Sequence, residues 1–260
     1  MTKWELSTIS GQNILVIGIG GGCDIISAIA LGKALQLPSN TRYANTKSMR
    51  SSMKKLRSVP NTRYTFLTPE PKELPKHKRW RNPMLEECLP RIHEHPYLVV
   101  QCPQDVTDRN IAAKDLQKIV EEWKIDQIFA VDTGGDVLSE ETESGAEGRD
   151  RRMLGMVKTC GVPVTLFVVG PGSDGESEPE VLTKALEREK NLENYMGKFV
   201  SVDLVDDFRE LGSWVGTNRT PNIILDAHNS KKSEIKIKRG RKPIIATTWL
   251  KEVWVFRVCA

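Results

Sequence analysis

The chain has 260 residues, 39% of them hydrophobic and 28% charged, with a formal net charge of +4 at pH 7 and five scattered cysteines. These values suit one domain with a sizeable core and reduced thiols, and they exclude a chain that is disordered throughout or built on a disulfide framework. No apolar stretch approaches the ~20 residues that cross a bilayer, and the first residues lack the apolar core of a secretory signal, so we expect a soluble, cytoplasmic protein without membrane contact.

The first predicted unit is a strand over residues 13–17, a glycine loop and a buried helix over residues 24–35. The loop, Gly18-Ile19-Gly20-Gly21-Gly22-Cys23-Asp24, comes close to the dinucleotide fingerprint but has a cysteine in place of the third glycine. About 20 residues further on, the chain offers Arg42 where that fingerprint needs an acid for the ribose. A nicotinamide cofactor is therefore not favoured. The amides of Gly20, Gly21 and Gly22 at a helix N-terminus predict an anion cradle instead, and Asp24 either caps the helix alone or also contacts the ligand.

Residues 38–96 are proline-rich and basic, and they predict an insertion or a basic flap rather than a second domain. Between positions 42 and 81 there are twelve Lys or Arg residues and two acids, and a second basic segment covers positions 231–242. The sequence predicts a strand over 64–67 and a helix over 84–92. It predicts no convincing strand around position 42. Such charge suits nucleic acid, with Tyr43, Tyr64 and Trp80 available for stacking, or the phosphates of a small ligand, or simply a solvated surface.

Regular alternation then resumes, and its strands and helices are predicted at 97–102, 109–123, 127–132, 149–160 and 163–169. The strand over 127–132 ends in the second glycine loop, Asp132-Thr133-Gly134-Gly135-Asp136. Mg²⁺ is held in proteins by one or two carboxylates together with substrate phosphates, so Asp132 and Asp136 are the predicted metal ligands. The same carboxylates could bind sugar hydroxyls, act as a general base, or belong to an ordinary turn.

The strand over 163–169 ends in the third loop, Gly170-Pro171-Gly172-Ser173-Asp174-Gly175-Glu176. It offers a hydroxyl, amides and two carboxylates, although Asp-Gly is also a common turn pair. Beyond it the sequence predicts helices over 179–196 and 206–215, a strand over 199–203, and strand-like runs at 222–226, 234–238 and 252–258.

Strands that alternate with helices predict a single α/β domain over residues 1–260 with a doubly wound, mainly parallel, Rossmann-like sheet in three layers. Ligands of such sheets bind beyond the carboxyl ends of the strands, so the three loops are expected to line one pocket. Asp136, Asp174 and Glu176 are the candidate catalytic groups. The predicted ligand-binding residues are Gly20, Gly21, Gly22, Asp24, Asp132, Thr133, Gly134, Gly135, Gly172, Ser173 and Gly175.

Two weaker patterns are less convincing. A zinc site could be formed by Cys88, His93, His95 and Cys102, but their spacing is not that of a recognised zinc finger. His228 follows an apolar run, with Asp226 two residues earlier, and is interpreted as a surface-loop histidine rather than an acid–base group.

The three glycine loops together resemble the mostly archaeal family catalogued as domain of unknown function 1152. The segments that carry the resemblance run from Ile17 to Asp24, from Val131 to Leu138 and from Gly170 to Glu176. The resemblance implies that the three loops cluster. It adds no chemistry, because no activity is established for the family.

The expected function is binding of a phosphorylated or nucleotide-like small molecule, with Mg²⁺ as the cofactor and a transferase or hydrolase as the enzyme class. No flavin or haem is expected. A non-catalytic nucleotide sensor is the first alternative, and a nucleic-acid-associated protein that uses the two basic segments is the second. The sequence does not indicate an oligomeric state.

Overall fold

The computed structural model describes residues 11–47, 56–71, 85, 89–90, 94–138, 148–175, 179–191, 193–213, 215, 219–229, 235–239, 242–246 and 248–258. The helices within these residues are α1 (Asp24–Ala34), α2 (Val106–Glu122), α3 (Arg149–Lys158), α4 (Pro179–Lys190), α5 (Val205–Gly212) and α6 (Thr220–Asn229). The strands are β1 (Ile14–Gly18), β2 (Arg42–Thr46), β3 (Arg57–Ser58), β4 (Thr65–Leu67), β5 (Leu98–Val100), β6 (Gln127–Thr133), β7 (Val164–Val169), β8 (Tyr195–Val200), β9 (Ile235–Arg239), β10 (Lys242–Ala246) and β11 (Glu252–Val258). No helix in this part of the chain is long and apolar enough to span a membrane.

The main sheet has nine strands in the order β3-β4-β5-β2-β1-β6-β7-β11-β8, and β9 and β10 form a separate hairpin. The five strands from β5 to β7 are parallel to one another, whereas the pairings outside them are antiparallel. The α/β class is confirmed, but the sheet is mixed. The alternation of strands and helices predicted a mainly parallel sheet, and four of its pairings are parallel, whereas β11 runs antiparallel between β7 and β8.

Helices flank both faces of this sheet, and the sheet separates the apolar core into two clusters. Successive strand residues point to opposite faces, so Ile14 and Val16 belong to one cluster while Leu15 and Ile17 belong to the other. The first cluster includes apolar residues of α1, α5 and α6, and the second those of α2, α3 and α4. Both faces of the central strands are therefore covered, which explains why their sequences are apolar without alternation.

The parallel strands reverse their direction of progress between β1 and β6. From β1 the chain moves to β2 and β5 on one side, and then returns to add β6 and β7 on the other. A crevice forms at such a point because the connections leave the adjacent strands in opposite directions. The glycine loops that follow β1 and β6 therefore begin side by side, with Gly18 in register with Val131.

Several local predictions are corrected by the structure. The region around Arg42 forms β2, which pairs with β1, so the basic segment 38–96 contributes strands to the main sheet. Residues 222–226 lie in α6 rather than in a strand; Pro221 stands in its first turn, where a missing amide proton costs nothing. The predicted helix over 179–196 ends at Lys190, and β8 occupies 195–200. The helix predicted over 109–123 begins earlier, at Val106, and its N-cap is Asp105, whose carboxylate accepts from the Asp108 amide at 3.0 Å. Most of the helix predicted over 84–92 lies outside the described residues.

Candidate functional site

Three aspartates meet at the carboxyl ends of the central strands. Asp24 is the first residue of α1, Asp132 lies near the end of β6, and Asp150 is in the first turn of α3. Each can offer one carboxylate oxygen such that the three oxygens lie within 4.8 Å of one another. We call these three residues, together with Asp136 and Asp174, the aspartate cluster. Oxygens at this spacing can coordinate one cation.

Gly20 makes the close approach of two of these carboxylates possible. Its amide donates to Oδ2 of Asp24 at 2.6 Å. A Cβ at position 20 would lie only 2.2 Å from Oδ2 of Asp150 and 2.6 Å from Oδ2 of Asp24, so the position has no room for a side chain. The glycine is required here for space, and its amide is already occupied by Asp24. The Gly20 amide is therefore not available to an anion, and of the three amides predicted to bind one, those of Gly21 and Gly22 are left.

The second and third loops also touch. The Gly172 amide donates to the Gly134 carbonyl at 2.6 Å, and a Cβ on Gly134 would lie 2.2 Å from Cγ of Asp174. Gly134 has φ of +129°, a conformation that side-chain-bearing residues rarely adopt. Asp136 begins a 3₁₀ helix, Asp136–Leu138, and hydrogen-bonds through its side chain to Asp150. The three loops thus each contribute an aspartate to one cluster.

Burial makes these carboxyl groups hard to ionise in the cation-free protein. Desolvation raises the pKa of Asp24, Asp132 and Asp136 well above the usual value for aspartic acid, and neighbouring carboxylates raise it further. Asp132 is only 1% exposed. Its Oδ2 accepts from the Val137 amide at 3.3 Å, whereas its Oδ1 has no hydrogen-bond partner among the described residues. An unpaired buried carboxylate oxygen is costly, and a cation would remove that cost.

The N-terminus of α1 borders the cluster. Its N-cap is Cys23, and no side chain caps the helix. The capping interpretation of Asp24 is therefore wrong: its carboxylate accepts from Gly20, upstream of the helix. At Gly22, with φ of +58°, no described atom beyond its two chain neighbours lies within 4 Å of where a Cβ would be. Open space at a helix N-terminus leaves room for a negatively charged group.

The other predicted residues have different surroundings. Thr133 is buried and donates to the Ser27 hydroxyl at 2.8 Å. Gly135 packs against apolar side chains, since a Cβ there would contact Leu182 at 3.2 Å. Ser173 is fully buried, and its hydroxyl has no hydrogen-bond partner among the described residues. Gly175 is exposed. Glu176 lies outside the described residues.

Asp150 is the member of the cluster that sequence reasoning missed. It follows Arg149 in the first turn of α3. An acidic residue at this position is ordinarily explained by its favourable interaction with the helix dipole. Arg149 Nε lies 3.3 Å from Asp150 Oδ1. The one available signal was position: α3 follows β6, so its N-terminus had to lie at the same edge of the sheet as the Asp132 loop.

The weaker sequence patterns find little support. In the described part of the chain the aspartates form the one group suited to a metal; Cys88 and His93 lie outside it, and Cys102 Sγ donates to the Arg149 carbonyl at 3.9 Å. His228 is in α6, not in a loop, and its Nε2 lies 2.8 Å from the Ser201 hydroxyl.

Residues 48–55 and 72–81 of the first basic segment, and residues 231–234 and 240–241 of the second, lie outside the described residues. Tyr64 is buried, with the Arg63 guanidinium 5.1 Å from its ring centre, so it offers no open face for stacking on a base.

Comparison with known proteins identifies a family but no activity. Residues 80–260 match the family described as "Protein of unknown function (DUF1152)". No curated protein sequence matches the chain. Among solved structures, a deacetylase triple mutant (Orf2*T) described as involved in the teicoplanin biosynthetic pathway is similar at 11% identity and a TM-score of 0.42, over 95% of this chain and 98% of that chain. This likeness is too distant to assign an activity.

Proposed function

The chain belongs to the family of proteins of unknown function DUF1152, and we propose that its aspartate cluster binds a divalent cation, Mg²⁺ being the one expected, together with a phosphorylated or nucleotide-like small molecule. Asp24, Asp132 and Asp150 supply the cation ligands. Asp136, expected from the sequence to be a ligand, stands beside this group and hydrogen-bonds to Asp150. The enzyme class that suits the site is a transferase or hydrolase.

The observation that carries the proposal is the state of Asp132. This carboxyl group is 1% exposed, has one unpartnered oxygen and lies among other carboxylates. A structural aspartate is normally satisfied by amides or by an arginine, whereas the charges around Asp132 repel it. Such an arrangement lowers stability unless a cation neutralises it, and groups arranged in this way mark functional sites.

The phosphate of the ligand is assigned to the N-terminus of α1. This terminus carries partial positive charge, lacks a side-chain cap and has open space at Gly22. Mg²⁺ commonly bridges one or two carboxylates to substrate phosphates, so the cation would join the acidic cluster to an anionic ligand that the cluster alone would repel.

Asp136 is the residue best suited to proton transfer. The residue is partly exposed, unlike Asp24 and Asp132. Desolvation of its carboxyl group and the neighbouring carboxylates nevertheless raise its pKa. A raised pKa makes a carboxyl group better suited to general acid–base catalysis. We also infer that the sheet belongs to the doubly wound, Rossmann-like, three-layer kind, because its parallel strands follow the order β5-β2-β1-β6-β7 with a switch between β1 and β6.

Calorimetric titration with ADP tests the proposal. In the wild type, Mg²⁺ is expected to tighten ADP binding at least about tenfold, which corresponds to about 1.4 kcal/mol of coupling. Asp136→Asn is expected to reduce this coupling while the thermal unfolding temperature in EDTA stays the same or rises. The matched control is Asp226→Asn, because Asp226 is an exposed aspartate of α6, outside the cluster.

Binding of ADP with equal affinity in Mg²⁺ and in EDTA would overturn the proposal, and so would the absence of binding. Recovery of ADP unchanged after prolonged incubation with Mg²⁺ would favour the nucleotide sensor over the enzyme. Strong, salt-sensitive binding of a mixed oligonucleotide without any response to ADP would favour the nucleic-acid alternative.

A further inference from the structure

The carboxyl end of β2 lies against the first glycine loop. A Cβ on Gly21 would be 2.8 Å from the Thr46 carbonyl oxygen. The Asn45 side chain donates from Nδ2 to the Gly22 carbonyl at 3.2 Å, and the Thr46 hydroxyl donates to the Gly18 carbonyl at 2.9 Å. The residue that follows β2 therefore stands at the edge of the phosphate site proposed above.

That residue is Lys47, and the strand directs it to the α1 side of the sheet. Its amide donates to the Val100 carbonyl at 2.8 Å, which continues the parallel pairing of β2 with β5. Successive residues of a strand alternate between its two faces. Tyr43 packs into the apolar cluster on the α1 side, and Asn45 binds Gly22 on that side. Lys47 is next in this series, about 6.6 Å beyond Asn45 along the strand.

The positive charge of Lys47 is not compensated within the described part of the chain. The residue is partly exposed, and no described carboxylate pairs with it. Arg149 also borders the loop, with its Cζ 3.7 Å from where a Cβ on Gly21 would be. However, Arg149 is paired with Asp150 at 3.3 Å, so its charge is already offset. Lys47 can therefore pair with an incoming anion without giving up an ion pair.

The loop itself has room for one phosphate group. The amides of Gly21 and Gly22 donate no hydrogen bond to any described residue. Two consecutive amides at the N-terminus of a helix suit the oxygens of a single phosphate. Lys47 lies on β2, to one side of these amides, and its flexible four-carbon stem lets the ammonium group meet a second anionic group beside the first.

Given the phosphate site proposed above, on which this inference rests, we propose that the ligand carries two linked phosphates. One lies against the amides of Gly21 and Gly22, and the next lies against the Lys47 ammonium group. The substrate class is therefore a diphosphate or longer phosphoanhydride, such as a nucleoside diphosphate, rather than a monophosphate. Beside an acidic cluster, the larger negative charge of a diphosphate requires a further positive charge, and Lys47 supplies it.

Calorimetric titration with ADP and AMP in the presence of Mg²⁺ tests the proposal. The wild type is expected to bind ADP at least about tenfold more tightly than AMP. Lys47→Gln removes the charge and keeps a polar side chain of similar length. This variant is expected to bind ADP and AMP within about threefold of each other, because ADP binding weakens while AMP binding stays within about twofold of the wild type.

Lys114→Gln is the matched control, since it removes an equal charge from an exposed position in α2. It should keep the wild-type preference for ADP. Lys47→Arg retains the charge and should keep most of that preference. Lys47→Gln should also be stabilised by Mn²⁺ as the wild type is, and it should unfold at the wild-type temperature in EDTA. These two readouts separate a contact with the ligand from damage to the loop.

Equal affinities of the wild type for ADP and AMP, both tightened by Mg²⁺, would overturn this proposal and leave the cation proposal intact. The same conclusion would follow if Lys47→Gln kept the wild-type preference for ADP. A preference for ADP that depends on Lys47 but is equal in Mg²⁺ and in EDTA would overturn the cation proposal alone. Absence of ADP binding would overturn both.

Discussion

Replacing Asp132 with asparagine is expected to abolish the stabilisation of the fold by Mg²⁺ or Mn²⁺. At a free cation concentration one hundred times the dissociation constant, the wild type should gain about 2.7 kcal/mol in the free energy of unfolding. The variant should gain almost nothing, because it loses the most buried carboxylate of the three that lie within 4.8 Å of one another. Thermal and chemical unfolding at increasing cation concentration measure the effect.

Asp226→Asn again serves as the control, since it removes an equal charge from an exposed position in α6. It should respond to the cation as the wild type does. Equal stabilisation of Asp132→Asn and the wild type would show that Asp132 is not a ligand. A wild type that Mn²⁺ does not stabilise at any concentration would argue against the cation site as a whole.

In cation-free buffer, the same substitution is expected to stabilise the protein at neutral pH and to have little effect near pH 4. Burial raises the pKa of Asp132 in the folded protein well above the value near 3.9 of an unfolded chain. Below the unfolded value, both states hold the proton. As pH rises from that value towards the folded-state pKa, the unfolded chain releases its proton while the folded protein keeps it, so the stability of the wild type falls relative to the variant.

The size of this difference follows from proton linkage. Between the two pKa values, the advantage of Asp132→Asn grows by about 1.4 kcal/mol for each pH unit, because the folded state binds one proton more than the unfolded state. Urea unfolding in EDTA at intervals from pH 4 to pH 8 measures it. A variant that is less stable than the wild type by the same amount at every pH would show that Asp132 has a structural role.

Much of the position of the aspartate cluster was predictable from the sequence. Apolar, β-branched runs followed by glycine and aspartate indicated parallel strands with functional loops at their carboxyl ends, and the loops after β1, β6 and β7 do meet. Asp24 and Asp132 were identified because they stand directly in these loops. Asp150 was not, since an acid in the first turn of a helix is common for reasons of local electrostatics alone.

Three other elements were harder to predict. Arg42–Thr46 contains an arginine, an asparagine and a threonine, so its composition does not resemble a buried strand, yet its last three residues are buried beside β1. Residues 222–226 form an apolar run too short to distinguish strand from helix by periodicity, and packing against the rest of the core decided in favour of α6. The antiparallel β11 depended on long-range pairing, which local patterns do not encode.

The central claim is that Asp24, Asp132 and Asp150 together hold one divalent cation, and anomalous diffraction from crystals grown with Mn²⁺ tests it most directly. A single strong peak is expected within about 2.5 Å of a carboxylate oxygen from each of the three residues. The peak should be absent from crystals of Asp132→Asn grown in the same way. No peak among the three carboxylates at a saturating Mn²⁺ concentration would contradict the account.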